Sequence, residues 1–371
     1  MTRPHAVDAI LAGMPAIIGH ESPLQTIRDA LRAGRIHHAW ILSGPPGIGK
    51  CTVACEFARG LLDPQAGPDD FGLGGTALAS PEGTLLASQT HPDLHIIRKE
   101  DAAYADTNSL RRRKQMNIPI DLLRERIIGG HTDDGAMHEA PAWRKSHYGQ
   151  GKVFILDEAE LIDPQGQNAL LKTLEEPPPK TWLMLVTSRP ERLLPTVRSR
   201  CEHVRLGPLP ENQMRQWMTE SIPDATDVDW ILQWAEGAPG MALLAAETSL
   251  MDCARDLAPI LDDLDRGTWH QAFGGRIVDF ITERAEQVVK ANSKASKDMA
   301  NKQAASLVLR LLSAHVRRRL AVVESGDFET GQQLWALANR IGETEDQLQR
   351  GLNMKHVLES LGAEWPQLCN A

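Results

Sequence analysis

The chain has 371 residues, 42% of them hydrophobic and 24% charged, with 29 Gly and 23 Pro. These proportions fit a globular protein of two or three domains and exclude a collagenous, disordered or membrane-spanning one. The net charge of -9 argues against a chain that wraps nucleic acid by itself, so such contact is expected to be local or shared with partners. Five scattered cysteines (Cys51, Cys55, Cys201, Cys253 and Cys369) form neither a disulfide framework nor a C-x-x-C metal pair. Met1 to His5 are not followed by the apolar core of a signal peptide, and the expectation is a cytoplasmic address.

The first two hundred residues alternate buried-strand and helix patterns, which predicts βαβ units on a parallel sheet. Ala39 to Leu42 read as a buried strand entering Gly44-Pro45-Pro46-Gly47-Ile48-Gly49-Lys50-Cys51, and a helix is expected over Val53 to Leu62. This is the strand–loop–helix setting of a phosphate loop. Gly44, Gly47 and Gly49 let backbone N–H groups turn towards phosphate oxygens, and Lys50 reaches the terminal phosphates. The next position is Cys51 where a magnesium-binding Ser or Thr is expected, and Thr52 comes one residue too late. The phosphate cradle is therefore predicted intact and its metal site impaired, with ATP and Mg²⁺ as the candidate ligands. Segments 63–90 and 129–151 read as loops, and Arg111 to Lys114 as a short basic run on the surface.

Lys152 to Asp157 read as a second buried strand, ending in Asp157 and Glu158. Acids at the carboxyl end of a parallel strand face the ligand crevice, where Asp157 holds Mg²⁺ through water and Glu158 polarises the attacking water. Asn168 to Glu176 read as a helix stopped by Pro177-Pro178-Pro179, and Trp182 to Thr187 as a third strand, with Ser188 within reach of the γ-phosphate. Ser199-Arg200-Cys201 follow. Arg200 stands where an oligomeric ATPase presents an arginine to its neighbour's nucleotide, a role suited to a planar, permanently charged fork. Beyond Pro208 the pattern is helical, with a turn at Gly237 to Gly240. Leu307, Val308, Leu311, Leu312 and Val316 carry one apolar stripe, and Leu348, Leu352, Val357 and Leu358 another. Arg317-Arg318-Arg319 read as a solvated helix face.

The glycine loop, the 152–158 strand, Asn168-Ala169-Leu170-Leu171-Lys172-Thr173-Leu174-Glu175-Glu176-Pro177-Pro178 and Ser199-Arg200-Cys201 together resemble the clamp-loader subunits of bacterial DNA polymerase III, nearest to the delta-prime type. Ile36 to Leu42, Thr90-His91-Pro92-Asp93 and Ile118 to Arg124 fit the same family. The resemblance implies an α/β AAA+ P-loop domain over 1–206, a small helical lid over 207–250 and an all-α collar over 251–371. It further implies a stator that supplies Arg200 as an arginine finger to an adjacent gamma/tau motor. Its partners would be gamma/tau and delta, with the sliding clamp and primed DNA met through the complex and no membrane. The family commonly binds zinc through four cysteines in a segment that here corresponds to 62–90. No cysteine lies there, His91 and His95 do not replace them, and no zinc is expected. Met241 falls where the motor subunits carry a sensor arginine. The alternatives are a gamma/tau-type motor, which calls for Ser or Thr after Lys50, and another AAA+ ATPase, which calls for a pore or DNA-contact loop.

Overall fold

The computed structural model describes residues 16–74, 80–112, 116–292, 295–324 and 327–370. They form two compact units, one from the described residues up to 225 with 235–242 and the other from 226–234 with the described residues from 243 onward. The segment expected as a lid is thus divided between them.

The first unit is built on five parallel strands, β1 (Ala39–Ser43), β2 (Leu94–Ile97), β3 (Lys152–Leu156), β4 (Thr181–Thr187) and β5 (Glu202–Arg205), in the order β2-β3-β4-β1-β5. β1 and β3 are buried along their whole length, as expected of central parallel strands covered on both faces. The sequence reading found three strands and missed the two edges. β5 turns only Val204 inward, so it carries no apolar run, and β2 is four residues long with a histidine inside it. Helix α1 (Glu21–Ala33) precedes the sheet, and α2 (Lys50–Leu62) leaves the glycine loop. Helix α3 (Pro164–Glu175) begins with Pro164 behind Asp163, whose carboxylate accepts the Gly166 N–H at 2.6 Å.

Segment 63–90 is not all loop. It holds a helix over Pro81–Ala87, where Ser80 Oγ accepts the Gly83 N–H at 2.8 Å, donates to Asp63, and buries Leu86 beneath. Its composition of small residues hid a well-capped turn. Segment 129–151 is mostly irregular and carries a two-residue hairpin, Gly130–His131 against Met137–His138. Helix α4 (Glu211–Ser221) completes the first unit. The division between the units falls within α5 (Val228–Ala235) and α6 (Pro239–Glu247).

The second unit is helical: α7 (Leu250–Asp265), α8 (Ala272–Ala291), α9 (Lys297–Ala321), α10 (Phe328–Gln349) and α11 (Met354–Cys369). Ser296, Asp327 and Asn353 cap the last three, each accepting a backbone N–H from three residues on. Leu307 and Leu311 lie along α9, and Leu348, Val357 and Leu358 are buried, but Leu352 sits half-exposed in the turn between α10 and α11. The apparent stripe through it joins two separate helices. Trp365 is fully buried, edge-on to Phe273, and donates to Asp265 at 2.9 Å. The Arg317–Arg319 run is not uniformly a solvated face: Arg319 pairs with Asp265 at 2.5 Å, beside His315 at 2.8 Å.

Candidate nucleotide site and arginine loop

β1 delivers the chain to the glycine loop, and three glycines there have positive φ: Gly44 at 153°, Gly47 at 73° and Gly49 at 98°. Two are also sterically required. A Cβ on Gly44 would lie 2.4 Å from the Leu206 carbonyl oxygen, and one on Gly47 would lie 2.8 Å from Met241 N. Gly49 caps α2, whose first residue is Lys50. The loop therefore has the shape that directs backbone N–H groups and a helix N-terminus at an anion.

Lys50 is buried, and its ammonium donates to Gly44 O at 2.9 Å, Pro45 O at 2.8 Å and Ser188 Oγ at 2.9 Å. All three of its protons are engaged. Burial lowers its pKa, while Glu160 and Asp157 pull the other way. Ser188, at the end of β4, is fixed in turn by Glu160, which accepts its N–H at 3.1 Å. Cys51 shares a hydrogen bond with Cys55 one turn along α2, and this bond, burial and the nearby Asp157 hold its thiol well above the usual range. A protonated thiol offers no ligand to a hard cation. The residues present fit a phosphate group, and those at the start of α2 do not complete a magnesium site.

The acids at the end of β3 are already matched by cations. Arg98, just beyond β2, approaches Asp157 at 3.5 Å, and Lys99 pairs closely with Glu158. Burial would lower the Lys99 pKa, but the Glu158 and Glu100 carboxylates outweigh it and raise it. Burial raises the pKa of Glu158 against the pull of Lys99. Glu158 itself adopts a left-handed backbone, φ 54° and ψ 47°, a conformation that costs a non-glycine residue about 1–3 kcal/mol. Arg98, Lys99 and Glu160 were not read as site residues from the sequence. Their signal is positional: two cations directly after a strand adjacent to β3 can reach the acids that end β3.

His20, before α1, also touches the loop, its Nε2 lying 3.2 Å from Ile48 O. From the opposite side Gly240 N donates to Gly47 O at 2.8 Å, and Met241 is buried there. The group standing over the loop at this turn is an apolar thioether, not a cation.

Arg200 belongs to a separate arrangement. Leu193 and Val197 anchor its loop in the core. Gln167 of α3 ties that loop down by donating to Arg192 O at 3.3 Å and accepting the Leu194 N–H at 2.7 Å. The Arg200 guanidinium donates to Thr196 O at 2.9 Å and pairs with Glu175 at 2.7 Å. Both charged side chains are solvent-accessible, 36% for Arg200 and 51% for Glu175. Thr52 lies on the first turn of α2, half-buried. The structure thus brings Gly44, Gly47, Gly49, Lys50, Cys51 and Ser188 together with the 157–160 acids, and holds Arg200 on its own surface loop. Of the 111–114 basic run, Arg111 turns back onto Ala105 O and Asp106 O, while Arg113 and Lys114 lie outside the described residues.

A parallel sheet in this strand order, with a glycine loop after its β1 and an acid pair after its β3, defines a P-loop module of the AAA+ class. A family model described as "DNA polymerase III, delta subunit" matches residues 19–210. That is more than half of the chain, and the chain belongs to this family. It is 32% identical over 214 residues to DNA polymerase III subunit delta' of Escherichia coli, covering 57% of this chain and 55% of that one. Against the delta' subunit of Pseudomonas aeruginosa it is 33% identical over 205 residues, 54% of this chain and 53% of the relative. The DNA polymerase III tau subunit of Salmonella typhimurium is 28% identical over 339 residues, 88% of this chain and 46% of the relative. The chain spans about half the length of the curated relatives it matches. Among the described residues, no helix is long and apolar enough to cross a membrane.

Proposed function

We propose that this chain is the delta-prime-type stator of a clamp loader, the assembly that opens a ring-shaped sliding clamp and places it on primed DNA. On this reading it works in the cytoplasm, packed between gamma/tau and delta subunits, and meets clamp and DNA through the complex. Residues 1–206 are the P-loop domain, 207–250 the lid and 251–371 the collar. Arg200 acts in the nucleotide site of the adjacent motor. Its own P-loop holds ATP weakly and hydrolyses it slowly or not at all.

The observation that carries this reading is the contrast in charge pairing. Glu158, the group that would polarise water, is paired with Lys99, and Cys51 offers a protonated thiol in place of a hydroxyl. Arg200 is held by the Thr196 carbonyl and one accessible carboxylate, and that ion pair is a weak surface contact that a partner can displace. The test is titration of the isolated chain with ATP and Mg²⁺ by calorimetry, with Lys50→Ala as control, followed by a turnover assay. Weak or absent binding with no turnover is the expected result. Turnover that Lys50→Ala abolishes overturns the stator reading.

One observation favours a motor instead, the alignment with a tau subunit along 88% of the chain. Cys51 and Met241 oppose it, because hydrolysis needs a metal ligand after Lys50 and a cation over the γ-phosphate. The same turnover assay decides between the two.

A further inference from the structure

Three carboxylates follow the end of β3, and two of them are paired: Asp157 with Arg98 and Glu158 with Lys99. Glu160 is the third. Its Oε1 accepts the Ser188 N–H at 3.1 Å, while its Oε2 is buried with no hydrogen-bond partner among the described residues. It makes no ion pair among them either. A charge left unmatched in this way is costly, and water screens its field only weakly.

Ser188 fixes where that field falls. Its N–H is on Glu160, and its Oγ accepts from Lys50 Nζ at 2.9 Å. Glu160 therefore stands one residue behind the ammonium that meets the terminal phosphate of a nucleotide. Burial lowers the Lys50 pKa, and of the carboxylates that oppose burial Glu160 acts most strongly, ahead of Asp157 and Glu158. The site holds three cations, Lys50, Arg98 and Lys99. Against them stand four carboxylates: Asp157, Glu158, Glu160 and Glu100, the last 3.7 Å from Lys99.

Two phosphates can still be held, because the loop N–H groups and the α2 N-terminus do so without a side-chain cation. A third has to pass Lys50 towards Ser188. It parts those two groups and brings further negative charge towards Glu160. The protonated Cys51 supplies no ligand for the magnesium that would offset this charge. We infer that the glycine loop is a nucleoside diphosphate site and that Glu160 is the residue that disfavours a third phosphate. This rests on the reading that the loop still holds nucleotide. Glu160 acts through its charge and not by touching the ligand, and it selects ADP over ATP.

The experiment is calorimetric titration of the full chain with ADP and with ATP, both with Mg²⁺, repeated on Glu160→Gln. The substitution removes the charge and keeps an oxygen to accept the Ser188 N–H. The unmodified chain binds ADP at least about tenfold more tightly than ATP. Glu160→Gln tightens ATP by at least about tenfold and ADP by less, so the preference narrows. A merely structural role would move both nucleotides together. ADP binding no tighter than ATP on the unmodified chain overturns the proposal without any variant. Equal shifts of the two nucleotides in Glu160→Gln, or no shift, overturn it as well. If neither nucleotide binds, the proposal falls while the stator reading of Arg200 stands. That reading falls instead to ATP turnover that Lys50→Ala abolishes.

Discussion

The two ends of the candidate machinery differ in how their charges are satisfied. Around the glycine loop most charges are met within the chain, Lys50 by two carbonyls and Ser188, Asp157 by Arg98 and Glu158 by Lys99, while the buried Oε2 of Glu160 has no hydrogen-bond partner among the described residues. On the Arg200 loop the guanidinium is exposed and pairs with one exposed carboxylate. Of the groups around the glycine loop, Lys50 and Lys99 are buried, while Asp157, Arg98 and Glu158 are 24%, 26% and 43% exposed, so it is the two lysines that are costly to disturb singly. An exposed ion pair is exchanged at little cost. The two lysines of the inward site are therefore held by buried contacts and Arg200 by a surface one, and it is this arginine that the proposed stator reading assigns to a neighbour's site.

The comparison can be broken first at the loop. Gly47→Val places a β-branched residue at φ 73° and drives its Cβ against Met241 N. Urea denaturation should show a loss of about 3 kcal/mol in the first unit.

Acid should act on the same side. His95, on the strand that leads to Arg98 and Lys99, has its pKa lowered to about 4 by burial, with Lys152 adding to the effect. Because its folded value lies below the unfolded 6.5, the unfolded chain takes up the proton first as pH falls. Stability is then lost between about pH 6.5 and 4, by up to about 3 kcal/mol from this residue. His95→Phe, which keeps a ring against Phe154, should flatten that part of a stability–pH curve.

A smaller change sharpens the contrast. Cys51→Thr restores a hydroxyl at the start of α2 and should tighten magnesium-dependent ATP binding by about tenfold, or 1.4 kcal/mol, read by calorimetry with and without EDTA. Turnover should stay low, because Lys99 still holds Glu158. The smallest effect is expected at Glu175→Gln. Removing an exposed partner of Arg200 should alter the melting free energy by less than about 0.5 kcal/mol, measured in the same denaturant series.

Much of this was legible in the sequence where a single segment carried its own signal. The β1–loop–α2 unit, the acids after β3 and the helical second half follow from apolar runs, glycines and spacing, and the chemistry of Cys51 follows from its identity. What escaped the reading depends on neighbours distant in the chain. Lys99 and Glu158 are 59 residues apart and meet only because β2 lies beside β3. Arg200 and Glu175 meet because Gln167 holds the Arg200 loop to α3. Edge strands such as β5 lack the two-sided burial that makes an apolar run visible, and Leu352 shows the reverse error, an apolar residue in helical register that faces solvent from a turn.

The most direct test of the stator reading compares Arg200→Ala with Lys50→Ala in the assembled loader, with the other motor sites silenced through their own P-loop lysines. Steady-state ATP turnover at the neighbouring site should fall by about 10³-fold for Arg200→Ala and stay within about twofold of the unmodified complex for Lys50→Ala. The opposite pattern, turnover lost with Lys50→Ala and kept with Arg200→Ala, would show that the chain works through its own P-loop and contradict the account.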